Sequence, residues 1–262
     1  MPQASTPSPT RSGDSRGVQT LGIIGGSGLT RLKALQLHRQ EFVATPYGEP
    51  SAPLTFGELD GSPVVFLPRH GASHSIPPHR VNYRANLWAM KQAGVERIVG
   101  VAAVGGITAS MTPGVLCIPD QVIDYTWGRQ HTLFSDDLDS VTHIDFSEPY
   151  CEPLRQDLLR AARRVGVTVH VGGTYGATQG PRLESAAEIR RMEADGCDVV
   201  GMTGMPETSL ARELALCYAS LALSVNWAAG KHDGPITMPE IQGHLAVGMA
   251  VALKVLAAAA GG

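Results

Sequence analysis

Four polar or glycine-rich clusters hold the side chains that could do chemistry in this chain of 262 residues. The first is Gly25-Gly26-Ser27-Gly28, a loop that can turn backbone N–H groups toward an anion. The second is Arg69-His70-Gly71, with His74 and His79 close behind. An arginine fork gives an oxyanion two parallel hydrogen bonds, and a neighbouring imidazole can add a donor. The third, Gly180-Pro181-Arg182-Leu183-Glu184, brings a carboxylate able to accept from an N–H on a ligand. The fourth is Met202-Thr203 followed by Pro206-Glu207, joined by Asn226, whose amide both donates and accepts and so suits a heterocycle. Each has a plainer reading as well: a tight turn, core or surface histidines, carboxylates in the first turn of a helix, a turn asparagine.

Several chemistries fall away at once. Gly26-x-Gly28 lacks the third glycine of a dinucleotide loop, because Arg31 stands there, and no Gly-Lys-Ser/Thr completes a Walker loop. There is no G-x-S-x-G elbow and no cysteine–histidine nucleophile motif. Pro77 and Pro78 forbid a helical zinc face among the histidines, so no metal is expected. What remains is a set of anion donors with an amide and a carboxylate and no protein nucleophile. Such a set suits a reaction in which a bound oxyanion attacks.

These clusters follow apolar runs that read as strands: LGIIG from Leu21, PVVFLPRHG over 63–71, VERIVGVAAVGGI over 95–107, VTVHVGGTYGA, CDVVGMT and SLALSVN over 220–226. Between them the pattern predicts helices over 79–94, 153–166, 184–196 and 206–219, with a last one from about Pro239 to Ala260. Strands alternating with helices imply an α/β fold with a largely parallel sheet. In such sheets ligands bind beyond the carboxyl ends of the strands, where all four clusters lie. The irregular stretch 124–150, with Asp136, Asp137 and Asp139, reads as a long functional excursion. Residues 1–18, rich in Pro, Ser and Thr, read as a disordered tail ahead of one domain over 19–262.

Composition narrows the class further. Lys+Arg 21 against Asp+Glu 24 gives a net charge of −3, which disfavours a nucleic-acid partner, and aromatics at 5% disfavour a base-stacking platform. No run approaches the ~20 consecutive apolar residues of a membrane span. Cys117, Cys151, Cys197 and Cys217 show no metal spacing and read as small buried hydrophobes in a reduced, cytoplasmic setting, without a disulfide.

Taken in order, GIIGGSGL, LPRHG, PPHRVNYRANLWAMK, GVAAVGGI, GATQGPRLES and VVGMTGMPETSLARELALCYASLALSVN resemble the trimeric purine nucleoside phosphorylase and methylthioadenosine phosphorylase family from Leu21 to the last helix. The resemblance implies a mixed, largely parallel sheet flanked by helices, one domain per subunit, a homotrimer, and phosphorolysis of a purine N-glycosidic bond with inorganic phosphate as co-substrate and no other cofactor. It places phosphate on Ser27, Arg69, His70, the Ala103 backbone N–H and Thr203, with Ala102 where some relatives hold a phosphate-binding threonine. Met202 matches the residue beside the ribose, and Leu183 falls in the substrate-binding set. Met238 and Ile241 line the pocket for the sugar's 5′ group, where ordinary nucleoside phosphorylases hold a polar residue. His143 matches a residue reaching in from a neighbouring subunit.

The base site departs from the methylthioadenosine enzymes. They carry aspartates at the positions of Asn226 and Ala228. Asn226 and Glu184 instead match the 6-oxopurine enzymes, where the amide addresses N7 and the 6-oxygen and the glutamate accepts from the protonated ring nitrogen. The resemblance therefore implies Asn226, His70 and Glu184 as the catalytic set, acting on S-methyl-5′-thioinosine to give hypoxanthine and 5-methylthioribose 1-phosphate. Methylthioadenosine phosphorylase and 6-oxopurine nucleoside phosphorylase are the neighbouring activities, and a purine-binding sensor is the non-enzyme alternative.

Overall fold

The structure is a computed structural model and describes residues 20–26, 35–135 and 140–262. Its axis is strand β5 (Arg97–Gly106), whose aliphatic run is buried on both faces, as a central parallel strand requires. Strand β1 (Leu21–Gly25) lies parallel to the first part of β5, from Leu21 beside Arg97 to Ile24 beside Gly100. Strand β11 (Cys217–Trp227) runs parallel to β5 along its whole length, from Cys217 beside Arg97 to Trp227 beside Gly106. Strand β10 (Val199–Gly201) meets only the end of β5, antiparallel, with Val200 beside Gly105 and Val199 beside Gly106. On that edge β1 has left and β10 has not yet arrived over residues 101–104, and the sheet opens there.

Beyond β1 lie β4 (Ser62–Pro68), parallel to it, then β3 (Leu54–Leu59) and β2 (Leu35–Glu41) as an antiparallel ribbon. The β3–β4 turn is Asp60-Gly61, with φ of 49° and 80°, the left-handed pair that a two-residue hairpin needs. On the other side, β9 (Thr174–Ala177) joins β10 to β7 (Gln121–Asp124), while β6 (Leu116–Ile118) and β8 (Val169–Val171) extend from β11. The single strand expected over VTVHVGGTYGA is thus two. Gly172 and Gly173, at φ of 80° and 103°, break it, and its halves join different branches. Among the described residues six strand pairings are parallel and four antiparallel, the mixed, largely parallel α/β sheet expected.

Helices α2 (Glu152–Arg164) and α5 (Met238–Ala260) cover one face, where Leu158, Leu221 and Leu256 meet in one core. Helices α1 (Tyr83–Gln92) and α4 (Gly204–Glu213) cover the other, with Leu87, Met90, Ile98 and Leu210 in a second core. Helix α3 (Ala186–Ala194) is started by a reciprocal capping box between Ser185 and Glu188. The fourth helix is shorter than the sequence pattern implies: β11 begins at Cys217, inside the expected helix 206–219.

Two expectations are corrected here. Cys151 and Cys217 form a disulfide, although 66 residues separate them. Cys151 is the residue before α2 and Cys217 opens β11, and that packing brings their Cα atoms to 5.1 Å. Cys117 and Cys197 are free and buried, as expected of small hydrophobes. Helix α5 is, by length and composition, long and apolar enough to cross a membrane, because its polar residues are few and spread along its 23 residues. It packs on the sheet, where a Cβ at Gly248 would come within 2.4 Å of Leu223. The expected tail over 1–18 lies outside the described residues, as do Ser27 and the acidic trio Asp136, Asp137 and Asp139.

Candidate active site

A cavity of about 800 Å³ opens at the unpaired edge of β5, within the usual size of small-molecule sites. Val101, Ala102, Ala103, Val104 and Gly105 form its floor. Ala103 is exposed in mid-strand because the cavity stands over it. Arg69, His70, Leu183, Glu184, Met202, Thr203, Asn226, Ala228, Met238 and Ile241 also line this space. Residues far apart in sequence are therefore brought to one place. His143 is exposed and does not line the cavity of the single chain.

Arg69, one residue past β4, is held differently from the expectation that its fork would face an oxyanion. Its Nε and Nη2 each donate to Glu207 at 2.7 Å, Nη2 also donates to Ile24 O and Nη1 to Val101 O. The two partners are 3% and 1% exposed. Five N–H groups minus these four bonds leave one, on Nη1, for a ligand. Burial disfavours the charged guanidinium, but the Glu207 carboxylate outweighs it and holds Arg69 charged well above the usual range. Tyr218 OH donates to Glu207 at 2.7 Å and completes the buried network. Gly100 makes room for it, since a Cβ there would come within 1.9 Å of that hydroxyl oxygen. Glu207 was read from sequence only as a helix-capping charge; a glutamate after a proline gives no other signal.

His70 also departs from its expected role as an anion donor. Its Nδ1 lies 2.9 Å from Ile76 O. A carbonyl can only accept, so Nδ1 carries the hydrogen and the neutral ring keeps an acceptor at Nε2. Burial and then the Arg69 charge push its pKa from 6.5 down to about 4, so the ring is neutral at pH 7.

Glu184 sits on the cavity wall while Ser185 and Glu188 cap α3, so the capping role belongs to its neighbours. Thr178 Oγ1 donates to Glu184 Oε1 at 2.5 Å and fixes that carboxylate from behind. Asn226 owes its aim to a bulge: the β5–β11 register shifts between Ser224 and Asn226, so Val225 and Asn226 both face the cavity. One Asn226 N–H donates to Trp227 O at 2.7 Å, leaving the other N–H and the carbonyl for a ligand. Ala228 presents a methyl group, with its main chain bonded to Gly106 O.

The apolar wall goes further than Met238 and Ile241. Leu245 and Met249 continue it along α5 at the four-residue spacing of one helix face, and Gln242 adds one polar amide to that face. Its helical spacing is the same that core packing gives, so the sequence carries no separate signal for Leu245 and Met249. His244 Nδ1 bonds Val225 O at 3.0 Å and ties the helix to the bulge. Thr203, the residue before α4, lines the same space.

The profile of the phosphorylase superfamily matches residues 20–260, and the chain belongs to that superfamily. It is 57% identical over 227 residues, 87% of this chain and 92% of the relative, to a probable S-methyl-5′-thioinosine phosphorylase of Pseudomonas syringae pv. tomato. It is 47% identical over 226 residues, 84% of each chain, to a probable 6-oxopurine nucleoside phosphorylase of Thermococcus kodakarensis. Among solved structures, a methylthioadenosine phosphorylase from an Antarctic soil metagenomic library matches at TM-score 0.86 and 37% identity, over 92% of this chain and 85% of that one.

Proposed function

We propose that the protein cleaves S-methyl-5′-thioinosine with inorganic phosphate, giving hypoxanthine and 5-methylthioribose 1-phosphate. As a purine nucleoside phosphorylase it breaks the bond between the purine and the anomeric carbon. The single observation that carries the choice of substrate is the wall on which Glu184, Asn226 and Ala228 meet. Hypoxanthine carries a ring N–H that Glu184 accepts and an N7 and a 6-oxygen that the Asn226 amide addresses. The 6-amino group of adenine would face the methyl of Ala228, and its unprotonated ring nitrogen would meet Glu184 lone pair to lone pair. A buried site built for one hydrogen-bonding edge rejects the other by up to ~10⁴-fold.

The chemistry follows from the charges. Positive charge develops on the sugar as the glycosidic bond breaks, and a phosphate dianion beneath it stabilises that charge before its oxygen bonds the anomeric carbon. The bond's electron pair leaves with the purine, where Asn226 meets the charge growing at N7. The phosphate set is read as the remaining Arg69 Nη1–H, the Thr203 hydroxyl at the start of α4, the open β5 edge at Ala103, and Ser27. Neutral His70 would accept a hydrogen bond at Nε2 from the hydroxyl of a monohydrogen phosphate or of the sugar. Met202 lies beside the ribose and Leu183 at the base side, while Met238 and Ile241 form an apolar seat for the methylthio group.

The same reading includes a cofactor-free reaction, a cytoplasmic location and a homotrimer in which His143 enters a neighbour's site. The first and the third rest on the family resemblance; the location rests on the expectation of reduced cysteines, which the Cys151–Cys217 disulfide does not support. The test is to incubate the protein with methylthioinosine, methylthioadenosine and inosine, with and without phosphate, and to identify the products. Phosphate-dependent release of hypoxanthine from methylthioinosine is expected at the highest kcat/KM. Preferential cleavage of the adenine compound would refute the assignment.

A further inference from the structure

We propose that Arg129, which lies in the irregular stretch after β7, is the positioning residue that holds the base-recognition carboxylate Glu184 in place. This rests on the reading of Glu184 as the acceptor for the purine ring N–H.

The side chain of Arg129 is buried, and among the described residues it bonds no carboxylate. Its guanidinium instead sits in a cage of oxygens from two separate segments and the Tyr83 hydroxyl. Nη2 donates to Thr178 O at 3.0 Å and Gln179 O at 2.8 Å, and Nε to Gln179 Oε1 at 3.1 Å. Nη1 donates to Met202 O at 2.8 Å and Met205 O at 2.6 Å, with Tyr83 OH at 3.3 Å. A buried guanidinium must have its donors met, and here the described partners that meet them are neutral oxygens on separate parts of the chain.

What the cage joins gives it a use. Thr178 and Gln179 lead into the turn that carries Leu183 and Glu184, and the Thr178 hydroxyl itself bonds Glu184 Oε1. Met202 and Met205 flank Thr203. One planar fork therefore sets the distance between the base side and the phosphate side of the cavity, and a relay runs from Arg129 through Thr178 to Glu184. A lysine could keep the charge but not the fixed five-donor geometry.

The readout is the ratio of kcat/KM for methylthioinosine to that for methylthioadenosine, in the intact protein. A purely structural residue would lower both values together. Arg129→Lys is expected to lower this ratio about tenfold or more, because it loosens a bond made to only one of the two bases. In a Glu184→Gln background the same change should leave the ratio unmoved, since the relay then has no end point. Thr178→Val, which removes only the hydroxyl link, should lower the ratio as well and serves where Arg129→Lys does not fold. An unchanged ratio in Arg129→Lys and Thr178→Val, with Glu184→Gln collapsing it, overturns the positioning role alone. A Glu184→Gln variant with the ratio of the parent overturns the base-site reading and the relay with it.

Discussion

Arg69 on the wall of the cavity and Glu207 behind it, 138 residues apart in the chain, are locked in a two-bond ion pair at 2.7 Å. The pair fixes the guanidinium so that one N–H points away from Glu207, Ile24 and Val101. The arginine is thus a held donor, and the glutamate is what holds it. Removing one member of a buried pair strands the other charge, at a cost of about 3–5 kcal/mol. Glu207→Gln is therefore expected to lower Tm by roughly 10 °C and to raise the KM for phosphate more than that for the nucleoside. Arg182→Ala, which breaks the exposed pair with Glu188, should leave Tm nearly unmoved. Differential scanning calorimetry and initial-rate kinetics check both.

His70 supplies a pH signature. Its folded pKa of about 4 lies below the ordinary 6.5. As pH falls through 6.5 the unfolded chain takes up a proton that the native ring refuses, so the stability it contributes is complete above 6.5 and is lost on the way down to about 4. His70→Gln should flatten the fall of Tm with pH in that window. In ¹H NMR of the phosphate-free protein, the ring resonance missing from the His70→Gln spectrum should not titrate between pH 7.5 and pH 5. A midpoint near 6.5 would contradict the buried, neutral ring.

The alternating strands and helices were legible because their apolar runs have clear periods, and the strand-end clusters do converge on the cavity. The missed parts are those with no period or no local partner. Arg129 lies in a stretch without regular structure, and four of its six described partners are backbone oxygens that every sequence carries. Glu207 and Arg69 find each other only through the sheet order. The Cys151–Cys217 pairing needs the docking of α2 against β11, which no spacing encodes. The β2–β3–β4 ribbon was within reach, since Asp60-Gly61 is a strong hairpin signal, but only its β4 run was read as a strand.

Helix α5 predicts the preference at the 5′ end of the sugar. Met238, Ile241, Leu245 and Met249 face the cavity with thioether and aliphatic surface. Filling such a wall with a methylthio group in place of a hydroxyl should favour methylthioinosine over inosine by about tenfold or more in kcat/KM. Ile241→Asn should narrow that gap by helping the hydroxyl and hindering the thioether. Equal kcat/KM for the two nucleosides in the parent protein would mean that this wall packs the helix and does not select the substrate.

The base wall is tested by changing Asn226 and Ala228 separately and together. Asn226→Asp exchanges an N–H for a second acceptor. It should cut kcat/KM for methylthioinosine by about a hundredfold, since the one free amide N–H is no longer there to donate to the N7 and 6-oxygen edge. The same change should raise kcat/KM for methylthioadenosine only slightly, because Glu184 still opposes the unprotonated ring nitrogen and Ala228 still offers no acceptor. Ala228→Asp alone should be poorly tolerated: the Ala228 site is 4% exposed, and a carboxylate there has no donor until adenine binds. Together with Asn226→Asp and Glu184→Gln, it should reverse the preference toward the 6-amino base. Products followed by chromatography at saturating phosphate decide the matter. A triple variant that still prefers methylthioinosine would place base selection on residues other than these three.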